Sequence, residues 1–288
     1  MHFIILKSTM IDKIAVVTGA NKGLGFAIVK GLCEKFKGTV YLTSRDEKRG
    51  KEACLELQKL GCTPKYHQLD VTDKESIVKF CSFLQSQNKK IQILINNAGI
   101  LFLKDATESK IYQAEFTLLV NFFALVEFTE EVLSYMNDNG TILNISSSSG
   151  HLSRIPSEVL RKDISNSNLT VKELKNLMQN YIDSVKFNKN IEQWGDSPYV
   201  VSKVGVNAYT FILNRRLVDR GIKVNCVHPG YVISDMTRGA GSLSPEEAAG
   251  VPLQTALYPG MGGMYVWHNG QVVPWDGPDP RGYIDKKV

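Results

Sequence analysis

The sequence predicts an α/β protein built on a doubly wound parallel sheet. Three observations carry that expectation. Short apolar runs alternate with segments of helical period along nearly the whole chain. The runs are continuous rather than alternating with polar residues, as strands covered on both faces are. The first run also passes through a glycine-rich turn, TGANKGLG, into a helical segment, a strand–turn–helix start.

The elements follow in order. IAVVT (14–18) reads as the first strand and 24–36 as the first helix. TVYLT (39–43) precedes a helix at 46–60, where Ala53, Leu57 and Leu60 fall three or four residues apart. KYHQL (65–69) leads into a helix at 74–88, IQILI (91–95) into a long helical stretch around 110–136, and TILNIS (141–146) is the next strand. A helix at 199–220 and the strand IKVNCV (222–227) complete the alternation. Residues 150–196 interrupt it. They hold the polar stretches KDISNSN and FNKN, yet Thr170 and Glu173 form a capping box ahead of Leu174, Leu177, Met178, Tyr181, Ile182 and Val185 at helical spacing. The segment is therefore expected to be an ordered helical insertion within a single domain spanning 1–288. Residues 1–9 read as a tail, with Met10 as a second plausible start, and 268–288 contain no motif that can be placed.

Composition narrows the class. A hydrophobic share of 43% and a charged share of 22% over 288 residues describe an ordinary soluble chain able to bury a large core. The net charge of +5 is spread among acidic residues with no long basic run, so no nucleic-acid partner is expected. The apolar run near the start is four residues long, too short for a signal core or a membrane span. Five cysteines without C-x-x-C spacing point to a reducing compartment, the cytoplasm, and the scattered histidines suggest no metal site.

The turn Gly19, Asn21, Lys22, Gly23, Leu24, Gly25 can approach a pyrophosphate closely, and the free N–H groups of the following helix can meet its charge. With its strand and helix it forms a Rossmann-type dinucleotide site. Past the second strand the sequence reads Ser44, Arg45, Asp46. Arg45 can fork onto a ribose 2′-phosphate, with Lys22 and Arg49 adding charge, which favours NADP(H). A strand ending one residue later would place Asp46 there instead and favour NAD.

Further along lies SPYVVSK (197–203), with Tyr199 four residues before Lys203. That spacing puts both side chains on one helix face. Alone it is a common pattern. Together with TGANKGLG, NNAG (96–99), VNFF (120–123), NISS (144–147) and HPGYVISDM (228–236), in that order over about residues 11–265, the chain resembles the short-chain dehydrogenase/reductase family. The long gap between Ser147 and Tyr199 makes it most similar to the monomeric NADPH-dependent carbonyl reductases.

The resemblance implies a carbonyl substrate and roles residue by residue. Tyr199 is the expected general acid, Lys203 its activator and a ribose contact, Ser147 a donor to the substrate carbonyl, and Asn121 the anchor of a proton-relay water. Asp70, with Val71 beside it, matches the adenine contact, and Asn97, Ala98 and Gly99 line the cofactor. Pro229 and Gly230 lead to Val232, Ile233 and Ser234, the segment expected to hold the carboxamide. Tyr231 and Met236 are expected on the substrate wall, Tyr231 standing where tryptophan is usual, and His228 stands where a cysteine often sits. Tetrameric members pair through the long helix and the tyrosine helix, so an insertion covering that surface implies a monomer.

The chemistry needs these residues. A phenol with a pKa near 10 is a poor acid at neutral pH, and lowering it by two to three units takes about 3–4 kcal/mol. A cation roughly 5 Å away supplies about 3 kcal/mol at an effective dielectric of 20 and far less in water, so the pair requires a shielded cleft. Two other readings stay open: an oxidative NAD(P)-dependent alcohol or steroid dehydrogenase, and a non-catalytic NADP-sensing regulator.

Overall fold

The computed structural model describes residues 13–285; the expected tail 1–9 and the second start at Met10 lie outside the described residues. Seven strands form one sheet in the order β3-β2-β1-β4-β5-β6-β7, every pairing parallel. They are β1 (Lys13–Val17), β2 (Thr39–Ser44), β3 (Lys65–Gln68), β4 (Lys90–Asn96), β5 (Met136–Ile145), β6 (Lys223–Val227) and β7 (Tyr265–Val266). The continuous apolar runs follow from burial on both faces. Ile14 and Val16 enter one core with Leu94 and Ile142, while Ala15 and Val17 enter the other with Ile95 and Leu143.

Helices cover each face. α1 (Gly23–Lys35) and α2 (Glu47–Lys59) supply the second core; α3 (Lys74–Ser86), α4 (Lys110–Leu118) and α5 (Ala124–Val132) supply the first. The stretch read as one helix over 110–136 differs in two ways. A π turn, Leu119–Phe123, in which the Ala124 N–H reaches the Leu119 carbonyl, separates α4 from α5. A 3₁₀ turn, Leu133–Tyr135, ends it, and Met136 already belongs to β5.

The 150–196 segment contains α6 (Glu158–Ile164), α7 (Val171–Phe187) and α8 (Ile191–Trp194). The Thr170–Glu173 capping box is formed in both directions. α7 lies on α4 and on α9 (Pro198–Arg216). Leu174, Met178, Tyr181 and Ile182 are buried there, as its apolar stripe requires. Gly205 of α9 permits this approach, because a Cβ at that position would lie 2.8 Å from the Met178 sulfur and 2.9 Å from the Phe122 ring.

Outside the insertion, where α6 and α8 join the one expected helix, two elements were not anticipated. β7 is only two residues long and carries no periodic signal. α10 (Pro245–Leu257) was legible, since Ser244 and Glu247 form a capping box with Pro245 in the first turn.

Candidate active site

The site lies beyond the carboxyl ends of β1, β4, β5 and β6, next to the point between β1 and β4 where the strand order reverses, the usual ligand crevice of an open parallel sheet. α9 enters from the insertion. Ser197 caps it by accepting from the Val200 N–H at 3.3 Å, and Pro198 occupies its first turn. Tyr199 and Lys203 are thus fixed on its opening turns. Because α7 covers its outer side, α9 is buried nearly all round, including Lys203.

The Lys203 amine donates to the Ile145 carbonyl at the end of β5, 2.7 Å away, and stands 5.7 Å from the centre of the Tyr199 ring. Burial pulls this amine from its ordinary 10.5 down to about 8. Tyr199 keeps part of its surface open to the cleft, yet desolvation pushes its phenol above the ordinary value, and a hydrogen bond with Ser147 draws it back. The Lys203 amine is itself desolvated and committed to a carbonyl.

Ser147 follows β5 and caps a short turn, Ser148–Gly150, its Oγ accepting from the Ser149 N–H at 3.2 Å. Asn121 sits in the π turn, which turns its side chain onto neighbouring loops. Its Oδ1 accepts from the Ile100 N–H at 2.8 Å, and its Nδ2 donates to the Ile100 carbonyl at 3.0 Å and to Ser202 Oγ at 3.1 Å. π turns of this kind recur at functional sites. At Gly99 a Cβ would lie 3.3 Å from Asn121 Oδ1 and 3.9 Å from Lys203 Nζ, so these groups share one space.

The glycine turn is joined to β4: Asn97 Nδ2 donates to the carbonyls of Thr18 and Gly19 at 2.9 and 3.0 Å, and the Ala98 N–H donates to Thr18 Oγ1. Asn21, Lys22 and Leu24 flank the start of α1, whose N-cap position is Lys22 and which has no side-chain cap, leaving its first N–H groups available. Gly23 has φ +56°, and a Cβ there would meet only Ser234, at 3.9 Å. That leaves room between the turn and the segment after β6, and Gly25 packs beneath it on Asn97 and Ala20. A dinucleotide pyrophosphate fits this opening on chemical grounds.

β2 ends at Ser44, so Arg45 is the first residue beyond it. Its exposed guanidinium makes no hydrogen bond or ion pair with the described residues. Asp46 is engaged elsewhere: it caps α2, accepting from the Arg49 N–H at 2.9 Å, and Arg49 pairs back onto it at 3.7 Å. Lys22, expected to add positive charge, forms an ion pair with Asp235. Asp70 accepts from Thr72 through the backbone N–H and the hydroxyl, at 2.9 and 2.7 Å, and Val71 is half-buried beside it.

After β6 come Pro229 and Gly230, then Val232 and Ile233, which pair with Leu243, and Ser234, which faces Gly23 of the glycine turn. Met236 lines a cavity of about 330 Å³ with Leu101, Phe102 and Leu103, closed at one side by the Arg238–Asp105 ion pair. Tyr231 does not line that cavity and leaves about half of its surface exposed. His228 is buried edge-on against Trp267, with ring centres 4.5 Å apart, and burial pulls it down to about 3, so its imidazole is neutral. Sequence reasoning missed Asp235, Asp105 and Arg238, whose pairings join loops more than 130 residues apart.

A model of the short chain dehydrogenase family matches residues 13–159 and 182–243. The chain belongs to this family. Residues 160–181, between the two matched parts, belong to the insertion. Similar members include carbonyl reductase (NADPH) 3 of Mus musculus, 42% identical over 86% of this chain and 92% of that protein. Carbonyl reductase (NADPH) 1 of Rattus norvegicus is 39% identical over 91% of this chain and 98% of its own. Among solved structures, salutaridine reductase from Papaver somniferum superposes with a TM-score of 0.79 at 30% identity, covering 88% of this chain and 99% of that one. The family's members are oxidoreductases using a nicotinamide cofactor, and the glycine turn of this chain fits one. Among the described residues no helix is long and apolar enough to cross a membrane, and no group of acidic, His or Cys side chains is placed to hold a metal ion.

Proposed function

We propose that the chain reduces ketone, aldehyde or quinone carbonyls to alcohols with NADPH. The observation that carries this reading is the convergence of Ser147, Tyr199 and Lys203 in one cleft with a free Arg45 at the end of β2 and Asp46 committed to capping α2. The cofactor, when bound, supplies the hydride. Arg45 meets the 2′-phosphate, the opening turn of α1 the pyrophosphate, and Asp70 the adenine end. Asn97, Ala98, Gly99, Val232, Ile233 and Ser234 border the rest.

Ser147 Oγ donates to the substrate carbonyl and so orients it against Tyr199. Tyr199 gives its phenolic proton to that oxygen as negative charge develops. Lys203 holds the ribose, and its charge favours the phenolate left behind. Asn121, clamped by Ile100 and Ser202, anchors the water through which that proton is replaced. The body of the substrate extends towards Met236, Leu101 and Phe102, whose cavity also presents Asp105, Asp235 and Arg238 and is not itself lined by Ser147, Tyr199 or Lys203.

The same reading makes the protein one reductase domain with 150–196 inserted, monomeric because α7 covers α4 and α9. It also makes it cytoplasmic, in keeping with five free cysteines. The test is a panel of quinones, aldehydes, diketones and steroid ketones, followed by loss of NADPH absorbance. Tyr199→Phe should bind NADPH normally and lose at least about a hundredfold in turnover; turnover within a few-fold of the parent would sink the assignment.

A further inference from the structure

The stretch after α10, which includes β7 and runs on into the 268–288 segment where no sequence motif could be placed, makes direct contact with the turn that carries Ser147. Tyr265 of β7 extends across β6, and its hydroxyl donates to the Ser147 carbonyl at 2.6 Å. That carbonyl also accepts the Gly150 N–H at 2.9 Å, closing the turn. Trp275 Nε1 donates to the Gly150 carbonyl at 2.7 Å, where Asn207 Nδ2 of α9 also donates, at 2.9 Å. The Trp275 carbonyl in turn accepts the Leu152 N–H at 3.1 Å. His151 Nε2 lies 3.0 Å from the Pro274 carbonyl. A carbonyl only accepts, and burial holds this imidazole below its ordinary pKa, so Nε2 carries the proton and Nδ1 is left to accept from Ser153.

These contacts act on backbone rather than on a ligand. Both carbonyls of the 147–150 turn therefore have side-chain donors from outside it, and Tyr265 and Trp275 are both buried. Burial drives the Tyr265 phenol far above its ordinary value, so it remains a donor throughout the working pH range. The Tyr265 phenol also lies within electrostatic reach of Tyr199.

We infer that Tyr265 and Trp275 are positioning residues, which set the direction of Ser147 Oγ by holding the carbonyls on either side of its turn. The inference rests on the proposed role of Ser147. Catalytic donors need placement within a fraction of an ångström, and small displacements transmitted from behind the site are costly in rate.

A double-mutant cycle tests this, using the panel substrate that turns over fastest. Tyr265→Phe keeps the ring and removes the donor; kcat should fall about tenfold or more while KM and Kd for NADPH stay at parental values. In a Ser147→Ala background the same change should cost less than about twofold, because the group it positions is gone. An equal loss in both backgrounds, or an unchanged kcat in Tyr265→Phe, overturns the inference while leaving the proposed function standing. Parental kcat in Ser147→Ala alone overturns the role of Ser147 and the inference with it. Should Tyr265→Phe fail to fold, Trp275→Phe carries the same expectations and the same refutations.

Discussion

Lys203→Met should remove turnover and, at the same time, remove a pH-dependent weakness in the fold. The Lys203 amine is buried with the Ile145 carbonyl as its acceptor and a protonated phenol nearby, and its pKa falls from 10.5 to about 8. The folded value lies below the unfolded one, so between them the unfolded chain binds more protons and stability rises with pH. The full penalty stands below pH 8, about 3 kcal/mol at 1.36 kcal/mol per unit. Raising the pH from 7 to 9 should recover roughly 1 kcal/mol of it in the parent and none in the variant. Met keeps the unbranched stem and leaves the Ile145 carbonyl without its donor, an offset that does not vary with pH. Urea unfolding of both proteins at pH 7, 8 and 9 measures the difference. Curves that stay parallel over that range would show that the amine is not desolvated as described.

Arg45→Ala should weaken NADPH about ten- to a hundredfold and leave NADH unchanged, because only the former carries the 2′-phosphate; fluorescence titration with both cofactors decides, and an equal loss would refute it. Met178→Ala empties a fully buried position between α7 and α9 and should cost about 2–5 kcal/mol in urea denaturation, against less than 1 if α7 were loosely attached. Sedimentation at micromolar concentration should give a monomer, and deleting 157–190 should expose the covered faces of α4 and α9 and cause association.

Much of this was legible before folding because it is local. Continuous runs such as IAVVT and IQILI mark strands buried on both faces, and the Thr170–Glu173 box marks the start of α7. The Tyr199–Lys203 spacing requires only one helix, and Ser197 with Pro198 begins it. The sequence left open whether Arg45 or Asp46 follows the second strand; β2 ends at Ser44, so Arg45 is the next residue, and Asp46 caps α2.

The sequence by itself determined the class of sheet and the alternation of strands and helices as far as β6, since hydrophobic period, capping and turn chemistry are properties of neighbouring residues. Tertiary structure alone decided what surrounds the residues of the cleft. The clamp of Asn121 on Ile100 and Ser202, the Lys22–Asp235 pair and the hold of Tyr265 on Ser147 join positions separated by up to 213 residues. Their partners are selected by packing across the sheet, which leaves no periodicity along the chain. The same holds for electrostatics. A lysine four residues from a tyrosine reads as an activating cation, and only burial reveals that the fold draws the amine down while pushing the phenol up.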